Sequence, residues 1–298
     1  MRIAIKQVDA FSEEPFGGNP AGVVLNAEGL DDATMLRIAR EMNLSETAFV
    51  TPSDVADFRV RFFTPRREVE LCGHATIGTF AALEEERRLA KDRTTFTQET
   101  LAGVLPVEVR REGPRPVFMM NQALPTFREA SSRAEVAALL RVTEDDILDA
   151  PVSVVSTGLP WLTFGLKSLS TLSTLAPDFP AIAKASREGN YIGYSVFSLE
   201  TKHPESAYHI RSFAPAVGID EDPVCGTCNG CVSAYVVKHA LVPLSDTIRM
   251  SAEAGYGAER PGRVSTIVGL RNGAIVEVRV GGPTVTVLDG TMETGALR

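Results

Sequence analysis

One motif occurs twice, half a chain apart, and it limits what this sequence can fold into. Arg61-Phe-Phe-Thr-Pro65 returns as Arg211-Ser-Phe-Ala-Pro215, an offset of 150 residues in a chain of 298. Cys72-Gly73, with Ala81 nine residues after the cysteine, returns as Cys225-Gly226 with Ala234, an offset of 153. Gly18-Asn-Pro20, ahead of an apolar strand, returns as Gly158-Leu-Pro160, an offset of 140. Three matches in one order near half the chain length imply duplication of a β-rich unit. The expected division is a first domain over 1–125, joined by 284–298, and a second over 126–283.

Short runs of β-branched or alternating residues, bounded by Gly, Pro, Asn or Asp, predict the strands. In the first half they cover 3–11, 22–25, 47–51, 58–63, 104–110 and 117–121. In the second they cover 152–156, 161–166, 193–199, 207–213, 247–251, 264–269, 275–280 and 285–288, the last of which could pair back with the first domain. Few helices are expected. Asp31 or Asp32 caps one that runs to about residue 41, with Met35, Ile38, Ala39 and Met42 on one face. The others are 133–140, a surface helix, and 75–88 and 230–239. These last two each follow a Cys-Gly pair and start apolar on most sides, as helices do when buried inside a sheet or barrel.

Composition narrows the function. With 44% hydrophobic and 23% charged residues the chain has the balance of a globular protein. A net charge of −8 argues against a general nucleic-acid binder. No apolar run is long enough to span a bilayer, and the start is a strand-like alternation rather than a signal peptide, so no membrane association and a cytoplasmic location are expected. The four cysteines, Cys72, Cys225, Cys228 and Cys231, do not resemble a secreted disulfide framework.

Cys72 and Cys225 hold matching places, each before a glycine at the start of a predicted helix. A thiol there ionises more readily than a free one, whose pKa is about 8.5, because the helix N-terminus favours negative charge. The same backbone N–H groups bind a carboxylate. If the halves face each other across a cleft, one thiol takes an α-proton from one face of a substrate while the other returns it to the opposite face, which is what a racemase needs. The competing reading is two small buried apolar residues. Cys225-x-x-Cys228-x-x-Cys231 also has the look of a metal motif, but it lacks a fourth ligand nearby. Cys228 and Cys231 are therefore expected to pack a buried helix.

Glu46 lies between a helix and an apolar strand, where a carboxylate drawn into a cleft serves as general acid and base. Otherwise it is a solvated strand-edge glutamate. His74 opens a helix and Asp222 precedes one; either can move or orient a proton, or simply cap. His203, His209 and His239 show no grouping.

Taken together, Val8-Asp-Ala-Phe11, Gly18-Asn-Pro-Ala-Gly22, Leu44-Ser-Glu-Thr-Ala-Phe-Val50, Arg61-Phe-Phe-Thr-Pro65, Leu71-Cys-Gly-His-Ala-Thr76 and Glu221-Asp-Pro-Val-Cys-Gly-Thr227 closely resemble the PhzF-like phenazine-biosynthesis family. The resemblance spans the chain. It implies an α+β fold of the diaminopimelate epimerase kind: two pseudo-symmetric domains, each a curved, mostly antiparallel, barrel-like sheet around a central helix, often as a homodimer. It also implies a cofactor-independent isomerase. In the family's phenazine enzymes a glutamate moves a proton within dihydro-hydroxyanthranilate, and that glutamate corresponds to Glu46; the assisting residues correspond to His74 and Asp222. One departure stands out. Where the family usually has threonine, this chain has Cys225, and Cys225-Gly226-Thr227 resembles the second catalytic cysteine motif of diaminopimelate epimerases and proline racemases, with Cys72 matching the first.

The expected catalytic residues are thus Glu46, Cys72, His74, Asp222 and Cys225. Asn19, Ser45, Gly73, Gly226 and Thr227 are expected to contact a small carboxylate or amino-acid substrate, with no metal and no cofactor. The alternatives are a dihydro-hydroxyanthranilate-type isomerase working through Glu46, and a small-molecule binding protein without turnover.

Overall fold

The computed structural model describes residues 2–295 except Pro114 and Ser131. The chain forms two compact units, one of Met1–Asn121 with Gly281–Arg298, the other of Gln122–Val280.

In the first unit the elements are β1 (Arg2–Ala10), β2 (Asn19–Val24), α1 (Asp32–Met42), β3 (Glu46–Thr51), β4 (Phe58–Phe63), β5 (Glu68–Val69), α2 (Gly73–Glu85), β6 (Thr95–Thr100), β7 (Gly103–Arg110) and β8 (Val117–Asn121), with the last strand Thr284–Glu293. From that last strand the sheet steps to β1 and β2 antiparallel, to β3 parallel, to β4 antiparallel, to β6 parallel, then to β7 and β8 antiparallel. Strand β5 folds back on β4 as a short hairpin. Helix α2 touches β1, β2 and β3 and also the strands at both ends of this order, so the sheet curls around it. Every residue from His74 to Leu83 is buried, as expected of a helix apolar all round. The other face of the sheet carries α1, whose Met35, Ile38 and Ala39 pack on Ile3, Ile5, Val24 and Phe49. A register shift at Gln7/Val8 re-phases β1, so that Ile3 and Ile5 are buried at its start and Val8 and Ala10 at its end.

The second unit contains β9 (Thr126–Glu129), α3 (Arg133–Leu140), β10 (Ser153–Ser156), β11 (Pro160–Leu166), α4 (Leu169–Ser173), α5 (Phe179–Gly189), β12 (Tyr194–Ser198), β13 (Tyr208–Ala214), β14 (Ile219–Asp222), α6 (Gly226–Lys238), β15 (Thr247–Ala254), β16 (Gly262–Arg271) and all but the last two residues of β17 (Ala274–Gly282). Its ladder repeats the first: β10 to β11 antiparallel, β11 to β12 parallel, β12 to β13 antiparallel, β13 to β15 parallel, β15 to β16 antiparallel. Strand β14 folds back on β13 as β5 does on β4. Helix α6 packs against β10, β11, β12 and β16, and every residue from Cys228 to Val237 is buried.

The repeated Arg-x-Phe motif has a physical reason. Arg61 on β4 makes two hydrogen bonds of 2.7 Å to Glu68 on β5 while its guanidinium lies 5.1 Å from the Phe63 ring centroid. Arg211 on β13 makes bonds of 2.9 and 2.8 Å to Glu221 on β14 and lies 5.0 Å from the Phe213 ring. Each arginine thereby fixes the hairpin that delivers the chain to its buried helix. The second hairpin contains an extra turn at Pro215–Val217, which accounts for the step in offset from 150 to 153 between the two shared motifs.

Several expectations need correction. Helices are more numerous than expected: α4 and α5 lie where none was predicted, and α5 has plain signals in its Asp178 cap, a proline in the first turn and Asn190 in the left-handed conformation at its end. Helix α6 starts at Gly226 rather than 230, because the glycines and asparagine of its first turn resemble a loop. Strands β5, β6, β9 and β14 also lie outside the expected set; β5, β9 and β14 are very short, and β6 is polar at every position but Phe96. Asp31, not Asp32, caps α1. No helix among the described residues is long and apolar enough to cross a membrane.

Candidate active site

In the first unit, four residues meet at the entrance to α2. Glu46 opens β3, in register with Ala21 of β2. The next pair is Gly22 and Thr47, and a Cβ on Gly22 would sit 2.8 Å from the threonine hydroxyl, so glycine permits the pairing that fixes Glu46 at the strand's start. Cys72 caps α2 in extended conformation and His74 follows in the first turn, each 8% exposed. The His74 ring lies with Nδ1 3.4 Å from Cys72 Sγ, and with Nε2 3.4 Å from Glu46 Oε2 and 3.3 Å from Ser45 Oγ. An imidazole engaged on both nitrogens connects a thiol to a carboxylate and can pass a proton between them. The ligating atoms of Glu46, Cys72 and His74 all lie within 4.8 Å of one another, a mixed O, S and N set that also suits a divalent metal. Asn19 is buried at the start of β2, after Gly18 at φ +58°, where any side chain would collide with the Ala10 carbonyl.

In the second unit, the entrance to α6 holds Asp222, Cys225 and Thr227. Asp222 ends β14, paired with Ser212 of β13. Cys225 caps α6: its sulfur accepts the Cys228 N–H at 3.4 Å and lies 3.3 Å from Thr227 Oγ1. Asn229 donates its amide to the Cys225 carbonyl at 2.8 Å, closing the first turn. Cys228 and Cys231 are fully buried. Burial pushes the Cys228 thiol well above the ordinary value, and pushes Cys231 up to about 12. The Cys231 thiol donates to the Val155 carbonyl at 3.3 Å, away from the helix entrance. Gly73 and Gly226 are the first residues of their helices, where backbone N–H groups lack intrahelical acceptors.

The structure also groups residues that look unrelated along the sequence. His209 donates or accepts through Nδ1 at 2.9 Å with Glu253, and both are essentially unexposed. Glu253 also accepts the backbone N–H groups of Lys202 and His203, while His203 Nε2 lies 3.0 Å from the Tyr256 hydroxyl. Burial pushes His209 below the ordinary histidine value, with Glu253 opposing. The available signal was a glutamate set among small and apolar residues at the end of a strand.

A family model described as phenazine biosynthesis-like protein matches residues 8–290. An uncharacterized isomerase of Clostridium acetobutylicum is 38% identical over 288 residues, covering 94% of this chain and 95% of its own. The trans-2,3-dihydro-3-hydroxyanthranilate isomerase of Pseudomonas aeruginosa is 32% identical over 259 residues, covering 86% and 87%. Among solved structures, a PhzF-family phenazine biosynthesis protein of Bacillus anthracis has a TM-score of 0.91 at 32% identity, covering 98% of this chain and 99% of that one. A hydroxyproline epimerase from Agrobacterium vitis shares the fold at a TM-score of 0.57 and 12% identity, covering 98% and 92%. On these matches, and on two sheet-wrapped helices entered through Cys-Gly, the chain belongs to the PhzF-like phenazine-biosynthesis family of isomerases.

Proposed function

We propose that this isomerase removes a proton from a carbon next to a carboxylate and returns one to the opposite face, as an amino-acid epimerase or racemase does, without a cofactor. The observation that carries this reading is the equivalent position of two thiols, Cys72 and Cys225, as caps of the two buried helices. One sulfur, deprotonated, takes the α-proton; the resulting carbanion is stabilised by the adjacent carboxylate; the other thiol delivers its own proton from the far side. The first-turn N–H groups at Gly73 and Gly226 receive the substrate carboxylate. Asn19, Ser45 and Thr227 supply hydrogen bonds, Asp222 orients an amine, and His74 recharges Cys72 through the 3.4 Å contact. The enzyme is taken as a cytoplasmic homodimer.

A second reading has its own support. Glu46 lies 3.4 Å from His74, and a relative that is 32% identical is a trans-2,3-dihydro-3-hydroxyanthranilate isomerase. Here Glu46 carries a proton along one face of a cyclic acid, assisted by His74 and Asp222.

Mass spectrometry in heavy water separates the two. Purified protein is incubated with amino acids, hydroxy acids and dihydro-hydroxyanthranilate. Deuterium at an α-carbon, lost in Cys225→Ser, supports the epimerase. Deuterium only in the cyclic acid, lost in Glu46→Gln and kept in Cys225→Ser, replaces it with the second reading.

A further inference from the structure

The entrance to α6 carries a second thiol that proton transfer does not use. Cys225 is the cap and Cys228 stands three residues on, in the first turn. The Cys225 sulfur accepts the Cys228 N–H at 3.4 Å, which holds the capping sulfur against the residue that carries the second thiol. Residues three apart in a helical turn have Cα atoms about 5 Å apart, inside the span of about 4.4–6.8 Å that a disulfide requires. Cys225 keeps 7% of its surface exposed, while Cys228 has none. Cys225 thus keeps a small exposure at the helix entrance, and Cys228 is sheltered one turn inward.

We propose that Cys225 and Cys228 form a reversible disulfide in response to hydrogen peroxide, making the α6 entrance a redox modification site. The Cys225 thiolate attacks one peroxide oxygen. The O–O bond breaks, hydroxide leaves, and the sulfur becomes a sulfenic acid, oxidised by two electrons as the peroxide is reduced. The Cys228 sulfur then attacks the sulfenic sulfur. The S–S bond forms, the S–O bond breaks, and the departing hydroxide takes the Cys228 proton as water. A dithiol reductant restores both thiols and is itself oxidised to a disulfide.

The neighbouring cysteines do not fit this role. Cys231 is committed to the Val155 carbonyl and lies 3.7 Å from the Thr157 hydroxyl. At the entrance to α2 the residue three after Cys72 is Ala75, so that thiol has no resolving partner in its own turn. Where Cys225 is the proton carrier proposed above, disulfide formation also halts turnover and shields the sulfur from irreversible oxidation; that consequence rests on the proposed function, whereas the disulfide itself does not.

The test reads mass, not activity. The full chain is treated with hydrogen peroxide at pH 7, remaining thiols are alkylated, and the tryptic peptide 212–238, which holds all three cysteines, is sequenced. The expected peptide has lost two hydrogens, is linked between Cys225 and Cys228, and regains both thiols with dithiothreitol. Cys231→Ser gives the same link. In Cys228→Ser, Cys225 instead gains two oxygens as a sulfinic acid that dithiothreitol does not reverse. A wild-type peptide with three alkylated thiols, a link through Cys231 or Cys72, or sulfinic Cys225 formed as fast as in Cys228→Ser would overturn the proposal.

Discussion

At the entrance to α2 the capping sulfur of Cys72 has the imidazole of His74 beside it, 3.4 Å away, with Glu46 on the ring's other side. At the entrance to α6, among the described residues, the capping sulfur of Cys225 has the Cys228 N–H and the Thr227 hydroxyl as its hydrogen-bond neighbours instead. The framework around the two is nearly the same: a strand bearing an arginine over a phenylalanine, a hairpin locked by that arginine, and a helix buried for ten residues. The difference teaches that the scaffold is maintained by the hairpin and the core, which leaves the first helical turn free to diverge. One turn carries a histidine between a thiol and a carboxylate, the other a second cysteine.

The largest effect expected from breaking this comparison is on turnover. Under the two-thiol reading, Cys72→Ser and Cys225→Ser each lower kcat by about 10²–10⁴-fold, because a serine hydroxyl ionises too reluctantly to replace a thiol. Steady-state kinetics check it, and a Cys225→Ser enzyme that turns over like the wild type breaks the functional equivalence of the two entrances.

The next effect is on stability. Arg211 is 8% exposed in its side chain and also donates to the Leu172 and Leu175 carbonyls, whereas Arg61 is 18% exposed and has the exposed Asp32 as its further partner. Arg211→Ala should therefore cost about 3 kcal/mol, leaving Glu221 and two carbonyls without a donor, and Arg61→Ala about 1–2 kcal/mol. Urea denaturation can follow the second unit through Trp161, the chain's one tryptophan, and hydrogen exchange can follow α2 in the first. Equal losses would mean that the two hairpins are held alike.

A smaller effect distinguishes the units by pH. His209 has a native pKa pushed below the ordinary value by burial, so the unfolded chain binds its proton first as pH falls. Stability is complete above about pH 6.5 and is lost as pH drops toward the lowered native value. The Trp161-detected urea midpoint should fall over that range in the wild type and fall less in His209→Gln; identical slopes would remove His209 as the cause. The smallest effect concerns α1 and α5, which join the first parallel strand pair of their units, β2 to β3 and β11 to β12, and share an aspartate cap and a left-handed asparagine end. Asp31→Ala and Asp178→Ala should each cost about 1 kcal/mol in thermal unfolding. A twofold disparity would show that tertiary packing, not the cap, sets one of them.

Much of this comparison is legible in the sequence because its causes are local. Arg61-Phe-Phe and Arg211-Ser-Phe each encode a guanidinium over a ring two residues on, and the apolar stretches after Cys72 and Cys225 encode burial on all sides. What the sequence hides is either disguised or distant. The start of α6 is disguised by Gly226, Asn229 and Gly230, which read as loop residues until the Cys225 sulfur and the Asn229 amide are seen closing the turn. The contact between Glu46 and His74 joins residues 28 apart through strand register, and that between His209 and Glu253 joins residues 44 apart through a parallel pairing. Register of that kind has no local pattern from which it can be read.

The most direct test of the two-thiol account follows the hydrogen in early turnover. A single stereoisomer of the α-labelling substrate is converted in heavy water, and residual substrate and product are analysed separately within the first few per cent of reaction. The account predicts deuterium in the inverted product and none in the unreacted substrate, since the proton taken by one sulfur is not the one delivered by the other. Deuterium that appears in the unreacted substrate as early as in the product would show one exchanging base returning hydrogen to the face it came from, and would contradict the account in favour of Glu46.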